Sequence, residues 1–202
     1  MKISGLIPIL FLIFIYGCSG NNITGGFTAI DGGIKMNRIA VFDTSLGEFK
    51  IELFEDKSPI TAGNFRKLAE EGFYDGTRFH RVIKNFMNQG GDPLSRDLAQ
   101  SARWGTGSPG YFIKDEFIEG LSNVRGSISM ANSGPNSGGS QFFINVVDNT
   151  GLDWDKPPAQ SKHPVFGKVI SGMDVVDAIN NVETVPGDRP KEDVLINKVT
   201  IE

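Results

Sequence analysis

The sequence predicts a mainly β, antiparallel fold with two helices. Three observations lead there. About eight short runs of apolar, β-branched and aromatic residues recur between residues 37 and 202. Only two stretches carry helical spacing, and no strand–helix–strand rhythm links them. Glycine is abundant, at 25 of 202 residues, which favours many turns and short strands. An antiparallel sheet of that size limits its edges by curling into a barrel or by folding into a sandwich. Two amphipathic helices suit the open ends of such a sheet.

The elements follow in order. "RIAVFDTSLGEFKIELF" from residue 38 reads as a hairpin turning at "TSLG". Ser58 is placed to cap a helix with Pro59 in its first turn. Ala62, Phe65, Leu68 and Ala69 share one face of that helix, and Gly72 ends it. Strands are expected at 78–84, 86–89, 111–114, 127–131, 141–147 and 165–170. A short helix over 173–180 puts Met173, Val176 and Ile179 on one face. "DVLINKVTIE" closes the chain as a strand.

The first eighteen residues are a processing segment rather than a fold element. Lys2 precedes an apolar run over 6–16, too short for an ordinary membrane span, and "IYGC" places the only cysteine at its end. This resembles a lipoprotein signal, with lipid attached at Cys18. The alternatives are a signal cut elsewhere and an uncleaved anchor. Residues 19–36 are rich in Gly and Asn and read as a flexible linker to a domain over 37–202. An exported protein held on a membrane by its N-terminal lipid is expected, facing the periplasm or cell exterior. Loss of residues 1–17 removes Lys2 and no acid, so the net charge moves from −4 to −5.

Composition excludes much chemistry. A single cysteine forms no intrachain disulfide and no Cys-rich zinc site. His80 and His163 are the only histidines, so no metal site is expected. Phosphate-loop and nucleophile-elbow motifs are absent, and no cofactor is expected. No basic run marks a nucleic-acid surface. One residue stands out: in "FHRVIKNFMNQGGD" (79–92), alternation places Arg81 on one face with Phe79 and Ile83. A guanidinium among apolar side chains calls for a reason.

"FHRVIKNFMNQGGD", "SMANSGPNSGGSQFFIN" (129–145) and "VFGKVISGMDVVDAI" (165–179), with "TAGNFRKLA" (61–69) before them, resemble a cyclophilin, a peptidyl-prolyl cis–trans isomerase. The resemblance spans most of residues 38–202. It implies a closed eight-stranded antiparallel barrel capped by two α-helices. It implies action on proline-containing peptides and unfolded or partly folded proteins; a monomer is expected, and the N-terminal signal adds the expectation that it assists folding outside the cytoplasm.

The reaction asks for little. The barrier to rotation, about 18–20 kcal/mol, is lost amide resonance. In the twisted state the proline nitrogen regains a lone pair. A fixed donor aimed at that nitrogen stabilises the twisted state above either planar one. The resemblance places Arg81 in that role, with Gln89 orienting it. It lines a proline socket with Phe86, Met87, Phe143 and Leu152, with His163 at the edge. Ala131, Asn132 and Gln141 are implied as grips on the peptide, and Gly105 as the border of the subsite before proline. His80 reads as a packed, hydrogen-bonded residue rather than an acid or base.

Two regions depart from the pattern. Residues 94–104 look like an insertion, and the stretch from Leu152 to His163 is long. Gly151 stands where cyclosporin-sensitive members carry Trp, and Trp154 is expected to cap the loop instead. Two other functions compete with the isomerase. One is a module that binds proline segments with little turnover; the other is a ligand-carrying barrel.

Overall fold

The computed structural model describes residues 37–157 and 162–202. The expected signal segment, linker and lipid site at Cys18 lie outside the described residues. Strands β1 (Ile39–Thr44) and β2 (Gly47–Leu53) form the predicted hairpin, and α1 follows at Pro59–Glu70. Then come β3 (Thr77–Arg78), β4 (Arg81–Ile83), β5 (Met87–Gly90), β6 (Ser127–Met130), β7 (Phe142–Asn145) and β8 (Val165–Ser171). Helix α2 spans Met173–Asn180; β9 (Thr184–Val185), β10 (Arg189–Pro190) and β11 (Leu195–Ile201) complete the chain. Three short 3-10 turns lie at Pro93–Arg96, Leu98–Arg103 and Thr150–Leu152.

Nine strands form one antiparallel sheet in the order β3-β11-β1-β2-β8-β6-β7-β5-β4. The sheet curls strongly. Phe42 on β1 and Phe142 on β7 are four strands apart, about 19 Å if the sheet were flat. Their rings nevertheless meet edge to face with centroids 5.6 Å apart. Phe65 of α1 joins both, with ring centroids 5.9 Å from Phe42 and 5.6 Å from Phe142. The helix therefore packs its apolar stripe onto the aromatic core. Val176 and Ile179 of α2 are fully buried in the same core.

The expected closed eight-stranded barrel is corrected here. The expected strand 78–84 is split into β3 and β4, which raises the count and leaves the ladder open between them. These two edge strands are consecutive in the chain, separated only by Phe79 and His80. The segment pairs with β11 at Arg78, is released, and pairs with β5 from Arg81 onward. Covalent chain, not a ladder, joins the two edges of the sheet.

Two further expectations change. The run 111–114 makes only one isolated bridge, Ile113 to Gly138. Ser58 does not cap α1 with its own side chain. Its hydroxyl donates to Glu116 Oε2 at 2.9 Å, and that oxygen also accepts the N–H groups of Ile60 and Thr61, both at 3.0 Å. A loop carboxyl thus satisfies the free donors at the helix start.

Candidate active site

Strand register assembles the site. Arg81 on β4 lies opposite Gln89 on β5, and Gln89 lies opposite Phe143 on β7. Residues directly opposite share a face, so these three form a row across the outside of the sheet. Met87 lies two residues before Gln89 and so on the same face. Their neighbours Val82, Phe142 and Ile144 point into the core. The adjacent phenylalanines divide accordingly. Phe142 packs against Phe42, Phe65, Tyr74 and Phe79, whereas Phe143 meets His163 edge to face at 5.2 Å.

Arg81 is nearly half-exposed, with its guanidinium on two long tethers. Nη1 donates to Gln89 Oε1 at 3.4 Å, and Nε lies 3.5 Å from Asp188 Oδ2. Among the described residues its other N–H groups have no protein partner. Gln89 is held in turn: its Nε2 donates to Gln141 Oε1 at 3.0 Å. A cavity of about 390 Å³ opens beside this row, lined by Gln89, Gly105, Phe112, Ala131, Asn132 and Gln141 among others. The rest of its lining is small, mostly serine, threonine and glycine.

The expected socket residues differ in exposure. Met87 and Phe143 are buried, and Phe86 and Leu152 are half-buried. Leu152 and His163 are brought together in spite of the long segment between them, because His163 N donates to Leu152 O at 3.1 Å. His163 Nδ1 lies 3.0 Å from Met130 O. A carbonyl only accepts, so Nδ1 carries the proton. Burial pushes the pKa of His163 down, which keeps its ring neutral near pH 7.

Two sequence expectations are adjusted, and a third holds. The Asn132 side chain is already engaged: Nδ2 donates to Lys162 O at 2.8 Å, and Oδ1 accepts from Gly134 N at 3.4 Å. His80 is packed, but among the described residues neither ring nitrogen has a hydrogen-bond partner. Burial is the main cause of its low pKa, about 4. Trp154 caps its loop as expected, exposed and stacked on Phe117 with centroids 6.4 Å apart.

Sequence reasoning missed Asp188, which reaches Arg81 from a hundred residues away in the chain; no local pattern marks it. It also missed Asp92, although "QGGD" placed an acid immediately after the two glycines.

The family profile for cyclophilin-type peptidyl-prolyl cis–trans isomerases matches residues 39–201. The chain belongs to the cyclophilin family. Its activity is cis–trans isomerisation of peptide bonds preceding proline. It is 44% identical over 159 residues to a peptidyl-prolyl cis–trans isomerase of Arabidopsis thaliana, covering 78% of this chain and 92% of that one. A peptidyl-prolyl cis–trans isomerase of Acinetobacter baylyi is 45% identical over 171 residues, covering 82% of this chain and 86% of its own. A crystal structure of a Cryptosporidium parvum cyclophilin superposes with a TM-score of 0.72 at 31% identity, covering 82% of this chain and 98% of the other. The same protein in the presence of the dipeptide Ala-Pro gives a TM-score of 0.71 at 30% identity. The cyclophilin fold accounts for the mainly β architecture with two helices.

Proposed function

We propose that this cyclophilin works on proline-containing segments of exported proteins, with Arg81 as the catalytic group and Gln89 as its orienting partner. The observation that carries the catalytic part is the in-register row Arg81–Gln89–Phe143. It sets a cation with unused donors beside an apolar surface on one face of the sheet. Phe86, Met87, Phe143, Leu152 and His163 receive the proline ring. As the bond twists, the proline nitrogen becomes an acceptor and a guanidinium N–H meets it there. That contact is weaker in both planar states, so it lowers the barrier rather than merely tightening binding. The step moves no proton and forms no covalent bond with the enzyme.

The remaining groups grip the peptide. Gln141, Ala131 and Asn132 flank the cavity; with the Asn132 amide engaged by Lys162, its grip falls to its main chain. Gly105 lines the same cavity, its carbonyl 3.0 Å from Gln141 Nε2, fitting a border for the residue before proline. The Ala-Pro dipeptide used with the Cryptosporidium parvum relative is the substrate chemistry this socket suits. Location rests on the sequence alone. The apolar run ending at Cys18 supports a lipid anchor, and residues 19–36 suit a tether that lets a monomeric domain reach clients near a membrane.

Two measurements test this reading. A protease-coupled isomerisation assay on an X-Pro peptide is expected to show turnover; binding without turnover puts the proline-segment-binding module ahead. Cell fractionation is expected to find the protein on membranes and Cys18→Ser released from them. Wild-type protein in the cytoplasm with residues 1–17 intact overturns the anchor.

A further inference from the structure

Asp92 is fully buried, next to the glycine pair that ends β5. Its carboxyl accepts three backbone N–H groups: Leu94 on Oδ1 at 2.7 Å, and on Oδ2 both Gly105 and Gly107, the latter at 3.2 Å. A buried carboxyl needs such donors. These donors lie at the two ends of the apparent insertion 94–104, at its first residue and just past its last, so one side chain clamps both ends. The fit is close. A Cβ on Gly107 would stand 2.0 Å from Asp92 Oδ1, and Gly105 has a left-handed φ of +90°. Trp104, just before Gly105, adds a second anchor: its Nε1 donates to Leu94 O at 3.0 Å.

The clamped loop turns its carbonyls toward Gln141, whose Nε2 donates to Gly105 O at 3.0 Å and Gly107 O at 2.8 Å. Carbonyls only accept, so the Gln141 amide has one possible orientation, with Oε1 facing away from the loop. That oxygen accepts from Gln89 Nε2, which leaves Gln89 Oε1 as the acceptor for Arg81. Reversing either amide would set donor against donor and acceptor against acceptor. The chain of bonds therefore has a direction, fixed at its buried end.

We propose that Asp92 is a positioning residue for Arg81, acting through the Gly105–Gly107 loop, Gln141 and Gln89. This rests on the reading of Arg81 as the catalytic group. The guanidinium is tethered only loosely, so the orientation of Gln89 decides where its free N–H groups point. The inserted segment 94–104 leaves the site intact because the clamp lies at its base.

The test is a cycle of variants assayed for kcat, KM and thermal unfolding. Asp92→Asn keeps the shape but sets an amide N–H against a backbone N–H whichever way it turns. Gln141→Met breaks the relay in the middle and leaves Asp92 untouched, so it decides the matter if Asp92→Asn does not fold. Each is expected to lower kcat by about tenfold to a hundredfold, the scale of misplacing a catalytic group by an ångström or less, with KM changed much less. In the Arg81→Ala background neither is expected to lower kcat further. Equal losses in both backgrounds would mean a purely structural Asp92 and overturn the relay, as would a raised KM with kcat kept in Gln141→Met. Should Arg81→Ala alone keep its turnover, the catalytic reading of Arg81 fails and the relay fails with it.

Discussion

Strands β2 and β7 belong to the same sheet but meet the solvent differently. Along β2 burial alternates: Phe49, Ile51 and Leu53 point into the core, while Glu48, Lys50 and Glu52 face outward. On β11, Asn197, Lys198 and Thr200 are exposed in the same way. Along β7 all four residues, Phe142 to Asn145, are buried, and so are all four of β6. An antiparallel sheet ordinarily leaves one face to water. Here both faces are covered, and the outer cover coincides with the candidate site. The loops that bring Gly105, Ala131 and His163 lie around Phe143 and Gln89. Asn123, Ser129 and Asn145 are fully hydrogen-bonded beneath the cover: Asn123 Oδ1 accepts from Ser129 Oγ at 2.7 Å and from Asn145 Nδ2 at 3.3 Å.

The comparison is sharpest at one charge on each wall. Replacing Arg81 by Ala on the covered wall is expected to lower turnover by about 10²–10³, the effect of losing one preorganised donor. Peptide affinity is expected to change little, because Phe86, Met87 and Phe143 stay in place. Lys is expected to restore only part, since an ammonium on a flexible stem is not held at the same point. Lys50 on the solvent wall has its own ion pair, 3.2 Å from Glu202. Lys50→Ala is expected to leave turnover unchanged and shift stability by less than about 1 kcal/mol. Assay and thermal unfolding on the same samples check both. Similar turnover losses for the two variants would erase the distinction between the walls.

The second effect concerns pH. His80 lies in the two-residue link between the sheet edges, behind the loop that carries Gly105. Unfolded, it takes a proton near pH 6.5. In the fold burial lowers this to about 4, against the smaller opposing influence of Asp92. The native state holds fewer protons across that window. Stability is therefore expected to fall as the pH falls from 6.5 to about 4, by around 3 kcal/mol, and to level below it. Denaturant melts of wild type and His80→Gln across pH 4–8 measure it, since the carboxyls titrate in both. The expected result is a shallower acid limb in the variant; identical limbs would show that His80 is not the titrating group.

The same contrast explains what was legible in the sequence. The β1–β2 hairpin was readable because alternation and a short turn are local signals. Strand β7 was readable as a strand, but "FF" does not reveal which ring faces the core. Only the register with β5 does; the motif resemblance assigned Phe143 to the socket but gave no strand pairing. The break at Phe79–His80 was hidden, because apolar residues continue through it and the change of partner is long-range. Tyr111, Phe112 and Ile113 have strand composition, yet among the described residues the run bridges only Gly138, through Ile113. Of the site, Arg81, Gln89 and Phe143 came from motifs. Asp92 and Asp188 needed coordinates, as their value lies in what the chain folds back to meet.

The smallest effect lies on the rim of the covered wall, at Gly151. Cyclosporin-sensitive relatives carry a Trp there whose indole N–H donates to the drug, and the glycine supplies neither donor nor ring. Trp154 does not take its place, because it stacks on Phe117. Weak inhibition with normal catalysis is expected, since the proposed stabilisation of the twist is at Arg81, away from position 151. The position is free to change: Gly151 is exposed, and among the described residues a Cβ built on it meets nothing within 4 Å. Gly151→Trp is thus expected to fold normally and to gain affinity for cyclosporin by about 1–3 kcal/mol, roughly 5- to 150-fold. Turnover on a short X-Pro peptide is expected to stay within about twofold, because the added ring lies outside the Arg81–Gln89–Phe143 row. Titrating inhibition in wild type and variant separates the two roles of the wall. If the wild type is already inhibited at nanomolar drug, the rim does not depend on a residue at 151. If the variant loses turnover, rim and catalytic row are not independent.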